Sequence, residues 1–168
     1  MSTNLNKNII QGSDVMVWLL PDGSAESAGK GSVIGFSTNL SLNLSANTTE
    51  VSNKDFGNGW TSSIVTGRSW TASCDAMYAS SVYGTEYTYE SLFDCYVNGT
   101  PIKLTFGVSQ NAGATERKPN VDDAAGWIES GASYAGLAVI TSLELTGNNG
   151  DAATYSVEFT GAGAIEKD

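Results

Sequence analysis

The sequence predicts a mainly β fold of about six strands with one α-helix and long loops. Apolar and polar residues alternate along several segments, the pattern of strands with one buried and one wet face. Charged residues make up only 15% of the 168-residue chain, below the usual level of about 25%. The polar remainder is rich in Ser, Thr, Asn and Gly, which are typical of strands and turns. We expect a flexible arm over residues 1–13 and a single domain over residues 14–168.

The alternation is clearest in two segments, residues 30–45 and residues 68–78. The side chains predicted to be buried are Thr38, Leu40, Leu42 and Leu44 in the first segment, and Trp70, Ala72, Cys74 and Ala76 in the second. The intervening side chains, all small and polar in both segments, are predicted to face solvent. On the apolar side Cys74 would behave as a small hydrophobe.

One helix is predicted, at about residues 86–97. Its apolar stripe follows helical spacing and consists of Tyr89, Leu92, Phe93, Tyr96 and Val97. Thr85 is the expected N-cap, and Asn98-Gly99 is the expected end. Cys95 falls off the stripe, so we expect it to face away from the core.

Further short strands are predicted on either side of these elements. They cover residues 15–20, 101–108, 135–145 and 153–159. The last two are joined by a turn-rich hairpin connection at residues 146–151. The segment 109–126 shows no periodicity and is predicted to be a long loop, a kind of loop that is commonly functional or mobile.

The charge of the chain argues against nucleic-acid recognition. Eighteen acidic and eight basic residues give a formal net charge of −10, spread over the chain without runs. Such a field repels phosphates, which are bound through Lys and Arg. A surface past which DNA slides without sticking is compatible with it.

The residue types needed for most enzymatic chemistry are missing. There is no histidine, which removes the commonest general base and transition-metal ligand. We therefore expect no catalytic residue, cofactor or metal. Asp122 with Asp123, or Glu144 with Glu158, remain as a carboxylate pair of the glycosidase kind, and Asp122–Asp123 or residues 148–151 as a calcium loop. In each case a solvated loop or turn is the better interpretation.

Cellular context is indicated by the cysteines and the hydropathy. Cys74 and Cys95 are too few for a disulfide framework, and we expect free thiols in a reducing cytoplasm. The N-terminal residues show no secretory signal. No stretch approaches the roughly 20 apolar residues of a membrane span, so no membrane partner is expected.

The polar strand faces are the most informative feature. They are neutral to acidic and are formed by Asn39, Ser41, Asn43, Ser69, Thr71, Ser73, Asp75, Glu144, Thr154, Ser156 and Glu158. None of these residues is Lys or Arg, although ordinary wet sheet faces carry Lys freely. Such a face suits a polyanion that must pass without binding.

Six stretches together resemble the major tail proteins, or tail tube proteins, of long-tailed bacteriophages. They are GSDVMV (12–17), VIG (33–35) continuing to LSLN (40–43), EVSNKD (50–55), GRSWTAS (67–73), YAGLAVIT (134–141) and ATYSVEFTGAG (153–163). The EVSNKD stretch is similar to an acid-Val-Ser/Thr-x-Lys-Asp signature of that family. GRSWTAS is similar to its Gly-basic-x-Trp strand. The resemblance spans about residues 12–163, and the loop 109–126 has no counterpart in it.

The resemblance implies a β-sandwich or barrel of tail-tube type and a virion structural protein that is made in the bacterial host cytoplasm. Copies would form hexameric rings that stack into a tube for genome passage, with tail terminator, tape measure and baseplate or tip proteins as partners. Arms and loops at residues 1–13, 46–60 and 109–126 would bridge rings. The polar faces would line the lumen, and the expected interface residues are Lys54, Asp55, Trp60, Arg68 and Trp127.

The alternative is a β-sandwich binding or adhesion module, as in a carbohydrate-binding or decoration protein. It would use exposed aromatic side chains as a platform for sugars. The candidates for that platform are Trp60, Trp127, Tyr78, Tyr83 and Tyr87. Because Trp and Tyr are also enriched in cores and at interfaces, the aromatic side chains alone do not favour a sugar site.

Overall fold

The computed structural model describes residues 10, 12, 15–21, 32–51, 60–79, 87–109 and 129–167. The strands are β1 (Val15–Pro21), β2 (Ser32–Val33), β3 (Ser37–Val51), β4 (Ser62–Met77), β5 (Ile102–Ser109), β6 (Glu129–Thr146) and β7 (Thr154–Lys167). The helix α1 (Tyr89–Asn98) lies between β4 and β5. The predicted mainly β fold with one helix is confirmed. The arm 1–13, apart from Ile10 and Gly12, and the loop 110–126 lie outside the described residues.

All seven strands belong to one antiparallel sheet with the order β2-β1-β5-β6-β7-β4-β3. The strands at its two ends, β2 and β3, are joined by only three residues. The sheet must therefore curl until its ends meet at that corner. Side chains from distant strands consequently meet inside the curl. The rings of Trp70 on β4 and Phe106 on β5 pack edge to face, with centroids 6.4 Å apart.

The core confirms most of the positions that the alternation predicts. Trp70, Ala72, Cys74 and Ala76 of β4 are buried. They belong to one core cluster with inward side chains of the neighbouring strand β7 and of the more distant strand β5, which are Tyr155, Val157 and Phe159, and Ile102, Leu104 and Phe106. Burial, with the nearby Asp75 carboxylate as a smaller cause, raises the pKa of the Cys74 thiol to about 12. Cys74 is thus a neutral core residue, as the sequence predicts.

Trp70 is packed against two glycines. Its indole N–H donates a 2.9 Å hydrogen bond to the backbone carbonyl of Gly163 on β7. A Cβ at Gly136 would lie 2.6 Å from Cζ2 of the indole, and a Cβ at Gly161 would lie 2.5 Å from Cε2. Only the absence of side chains at these two positions lets the indole lie flat on β6 and β7.

The helix differs from the prediction in its start and in its buried face. It begins at Tyr89 after Thr88, which occupies the N-cap position without a side-chain capping bond. The expected start at residue 86 is therefore wrong, because Tyr87 instead makes backbone hydrogen bonds to Val33 and Gly35. The end is as predicted, since Gly99 adopts the left-handed conformation with φ of 62°.

The core covers only part of the predicted helical stripe. Leu92 is fully buried, but Phe93 and Tyr96 are each 48% exposed and Val97 is 63% exposed. Cys95, predicted to face away, packs against the core. The buried side of the helix is thus rotated from the centre of its apolar stripe, and three large apolar side chains remain uncovered.

The start of α1 is held to the end of β4 by tyrosines. The Tyr78 ring packs edge to face on Tyr89, with centroids 5.7 Å apart. The Tyr78 hydroxyl donates a 2.5 Å hydrogen bond to the Glu90 carboxylate. This bond lowers the pKa of Glu90 and raises that of Tyr78.

Tyr78→Phe is expected to return the pKa of Glu90 toward its ordinary value. A carboxyl whose pKa is lower in the folded chain stabilises the fold above its unfolded pKa, and that contribution is lost as the pH falls through the folded pKa. Wild-type stability should therefore decline more steeply than that of the variant below about pH 4.3. Denaturant midpoints of the unassembled chain at pH 3 to 7 measure the difference. Tyr96→Phe, on the exposed side of the same helix, should leave the wild-type pH dependence unchanged, and identical curves for all three proteins would contradict the assignment.

The β3–β4 hairpin extends well beyond the core. β3 runs to Val51 and β4 begins at Ser62, both farther out than the sequence predicts. Leu40 and Leu42 pack against the core as expected. The predicted burial of Thr38 and Leu44 is wrong, because Thr38 is exposed at a register shift between Ser37 and Asn39 and Leu44 is 60% exposed. Ile64 and Val65 on the opposite strand are also about half exposed. The outer hairpin therefore presents apolar side chains with nothing from the described residues covering them.

The β6–β7 hairpin is present where the sequence predicts it. The turn at residues 147–153 contains Gly150 with φ of 91° and a backbone hydrogen bond from Asp151 to Asn148. β7 then continues to Lys167 instead of ending near Phe159. The Gly-Ala-Gly-Ala run 161–164 lies inside this strand, where its small residues give room to Trp70.

Candidate functional site

One side of the sheet forms a continuous polar face over the adjacent strands β6, β7, β4 and β3. Register places Asn39 opposite Asp75 and Ser41 opposite Ser73 between β3 and β4. It places Ser73 opposite Glu158 between β4 and β7. Since residues opposite each other in a sheet share a face, these rows lie on the side away from the core.

All the polar-face residues predicted from the sequence lie on this one face. They are Asn39, Ser41, Asn43, Ser69, Thr71, Ser73, Asp75, Glu144, Thr154, Ser156 and Glu158. The same registers add Ser45, Thr160 and Ser142, which the sequence interpretation left out. The sequence could have predicted these three positions, because each continues the alternation of polar and apolar residues along its strand. We call the whole set the polar face.

Short hydrogen bonds join side chains across the strands of the polar face. The hydroxyls of Ser41 and Ser73 are 2.7 Å apart, and those of Ser45 and Ser69 are 2.9 Å apart. The Asp75 carboxylate accepts bonds from the Asn39 amide at 3.2 Å and from the Ser156 hydroxyl at 2.6 Å. One carboxylate thereby joins three strands, and each serine pair joins β3 to β4.

The charges on the polar face are all negative. Asp75, Glu144 and Glu158 lie on it. Of the basic residues within the described segments, Arg68 points to the opposite side of β4, and Lys103 lies on β5 outside the four strands. Lys167 follows Ile165 on the core-facing side at the end of β7. The described part of this face therefore offers no cation to a phosphate.

A groove lies at the base of the β3–β4 hairpin, on the side opposite the polar face. It has a volume of about 590 Å³ and is lined by residues 44–46, 68–70 and 163–165. Leu44, Trp70 and Ile165 make its walls apolar, and Arg68 is the charged residue among the described residues that line it. We call it the hairpin groove.

The expected interface residues fall into two groups. Trp60 is 85% exposed next to the hairpin, and Arg68 lies in the hairpin groove. Both are therefore accessible, as an interface role requires. Lys54, Asp55 and Trp127 lie outside the described residues.

The two alternative sites, an aromatic platform for sugars and a catalytic carboxylate pair, are not assembled by the described residues. Trp60 precedes β4 and Tyr78 follows it, so about 16 residues at ~3.3 Å each separate them along the extended strand. Tyr87 is half buried against the core. Glu144 and Glu158 are offset by two positions in the β6–β7 register, so they lie diagonally on the same face rather than directly opposite. Tyr83, Trp127, Asp122 and Asp123 lie outside the described residues.

Neither a metal cluster nor a membrane helix is found in the described segments. No group of three potential metal-ligating side chains comes together there. No helix in those segments has both the length and the apolar character needed to cross a bilayer. The loop 148–151 is a hairpin turn in which Asp151 donates a backbone bond to Asn148.

Solved structures with the same fold come from tail-like assemblies. The chain resembles one from the tail of an empty gene transfer agent particle (TM-score 0.66, 16% identity, covering 94% of this chain and 98% of that one). It also resembles a chain of the SPP1 tail tube, with a TM-score of 0.64 and 15% identity over 95% of this chain and 79% of that one. A third match is a chain of the sheath-tube complex of an extracellular contractile injection system, PVC. Its TM-score is 0.60, with 14% identity over 100% of this chain and 98% of that one. At these identities the likeness establishes the fold.

Sequence comparison identifies the family. No curated protein matches the chain significantly. The sequence profile of the phage tail tube protein family, however, matches residues 10–167. That span includes every strand, the helix and the whole polar face. The family is one of structural tail components rather than enzymes, and this chain belongs to the phage tail tube protein family.

Proposed function

We propose that copies of this chain form hexameric rings that stack into a tail tube, with the polar face lining the lumen through which the genome passes. The observation that carries the proposal is the polar face itself, which spans four adjacent strands, is joined by side-chain hydrogen bonds and has no cation on its described positions. Nucleic acid passing over such a surface finds acids and hydroxyls but no basic anchor.

The open edge of the sheet supports ring formation. β3 is an edge strand of 15 residues, and its outer half is exposed on both faces. Long exposed edges normally promote unwanted pairing and are blunted by Lys, Pro or bulges. Within its bounds β3 has no Lys and no Pro, and its pairing with β4 is irregular only at residues 37–39 and 47–48. The stretch 39–47 is thus a regular open edge, and an intended partner strand is a simple reason for leaving it open. Pairing of β3 with another copy would extend the polar face from one subunit to the next.

The sixfold order is supported by the relatives. The structure of the gene transfer agent tail was refined with C6 symmetry, and that of the anti-feeding prophage baseplate, which contains a chain of this fold, is sixfold symmetrised. Tail terminator, tape measure and baseplate or tip proteins are the expected partners of such a tube. The subunit would be made in the bacterial cytoplasm and end in the virion tail.

Electron microscopy tests the assembly. Negative-stain images of the particle, with the chain located by an antibody, should show label along the tail, and the concentrated chain should yield rings or tubes. A chain that stays monomeric at high concentration and is absent from tails would contradict the proposal. The particle is the decisive sample, because it contains whatever initiates assembly.

A further inference from the structure

Two uncovered surfaces of the chain have complementary properties. The hairpin groove is a concave apolar surface, and of the described residues that line it Arg68 alone is charged. Among the described residues no carboxylate pairs with Arg68. Grooves of this size, between about 300 and 1,000 Å³, bury several apolar groups at once.

The second surface is the exposed side of α1, which is convex. Phe93, Tyr96 and Val97 project from it at i, i+3 and i+4 spacing. Asp94 directly follows Phe93 in the sequence and lies on the flank of this side, where it is exposed without a described basic partner. An apolar helix ridge flanked by an acid therefore faces outward, and exposed apolar patches of this kind mark interaction sites.

One copy of the chain cannot bring these two surfaces together. α1 is held at the Tyr78 end of β4 by the ring contact between Tyr78 and Tyr89. The hairpin groove lies at the Arg68 end, ten residues earlier, or roughly 30 Å along an extended strand. A helix of ten residues is only about 15 Å long, and none of its residues lines the groove.

We propose that the hairpin groove receives the exposed side of α1 from a second copy of the chain, with Asp94 of that copy paired to Arg68. The shapes are complementary, an apolar ridge and an apolar groove, and the charges at their margins are opposite. A contact between two different patches is heterologous, and repetition of such a contact generates closed rings or open helical stacks. This inference rests on the proposed self-assembly and names the surfaces that carry part of it.

Charge exchange in assembled tails tests the pairing. Arg68→Glu alone and Asp94→Arg alone should each reduce the yield of tails from particle-producing cells at least about tenfold, since each places like charges across the contact. The double variant should restore most of the yield. Co-expression of the two single variants should also restore it, because alternating copies then present only wild-type and fully exchanged pairs. Lys103→Glu and Asp151→Arg, which make the same charge changes elsewhere, should assemble normally.

The outcomes separate this inference from the proposed function. If wild-type tails contain the chain but Arg68→Glu assembles as well as wild type, the groove is not part of the contact. If both single variants fail and neither the double variant nor the mixture recovers, α1 is not the occupant, and another segment or a different protein is. If the wild-type chain is absent from tails, the proposed function itself fails. Thermal unfolding of each purified variant within about 3 °C of wild type excludes misfolding as the cause.

Discussion

Gly161→Ala is expected to destabilise the unassembled chain by about 3 kcal/mol, the upper end of the usual cost of overpacking. The new methyl group would overlap the indole of Trp70, which is itself fixed by Phe106 and by its hydrogen bond to Gly163. The ring must move, and its N–H bond, worth about 1 kcal/mol, is weakened with it. Urea unfolding followed by tryptophan fluorescence measures the loss, which corresponds to a melting temperature lower by roughly 6–12 °C.

Gly163→Ala is the matched control, two residues along the same strand. A Cβ there meets no atom within 4 Å, and the backbone carbonyl that accepts the Trp70 bond is unchanged. We expect stability equal to wild type or slightly higher, because alanine loses less conformational freedom than glycine on folding. Equal stability of the two alanine variants would mean that Trp70 does not lie on β7 as described.

Glu158→Lys is expected to lower the infection or transfer titre of the particle by about tenfold or more while leaving tails of normal length. The residue is exposed in the middle of the polar face, opposite Ser73 and beside Ser142. Under the proposed hexamer, every ring would gain a circle of cations facing the passing DNA, and each Lys–phosphate contact adds affinity that falls with salt. Genome release should therefore slow, and raising the salt concentration should partly restore it.

Asp151→Lys makes the same change in charge in the β6–β7 turn, away from the polar face. It controls for net charge and should leave the titre near wild type. Normal titre for Glu158→Lys, with the variant confirmed in the tails by mass spectrometry, would show that this face does not line the conduit.

The alternation of polar and apolar residues along the strands predicted the polar face from the sequence. In Ser69, Thr71, Ser73 and Asp75 the alternation is unbroken, and the opposite side of the strand carries Trp70 and the small apolar residues of the core. Because register follows the hydrophobic pattern, faces predicted strand by strand came together on one side of the sheet. Which strands are neighbours was beyond the pattern, since the sequence alone does not reveal the order β6-β7-β4-β3.

The pattern failed where apolar residues lie outside this chain's core. Leu44 continues the alternation of Leu40 and Leu42, and Phe93 continues the helical stripe of Tyr89, yet both are about half exposed or more. A core and an interface produce the same periodicity, because both require one apolar side. Apolar residues that continue the pattern beyond the core can be recognised only when the length of β3 and the extent of the core are compared in three dimensions.

The packing of Trp70 on glycine was also beyond the sequence. Gly136 and Gly161 lie on different strands, and each alone reads as an ordinary small residue. Their role follows from the pairing of β6 with β7, which brings Gly161 opposite Ala138, two residues from Gly136. Tertiary contacts of this kind leave no periodic signal.

The serine pairs of the polar face also affect how easily a DNA strand would slide over that face under the proposed function. In the Ser41–Ser73 and Ser45–Ser69 pairs, one hydroxyl hydrogen of each pair is already occupied by its neighbour. Asp75 similarly occupies the Ser156 hydroxyl hydrogen and the Asn39 amide. Each bonded group has fewer free hydrogen-bond donors for a phosphate. The transient binding sites that a passing DNA strand would encounter are therefore weaker. A smooth energy profile, more than repulsion alone, would let a long polymer traverse many rings without stalling.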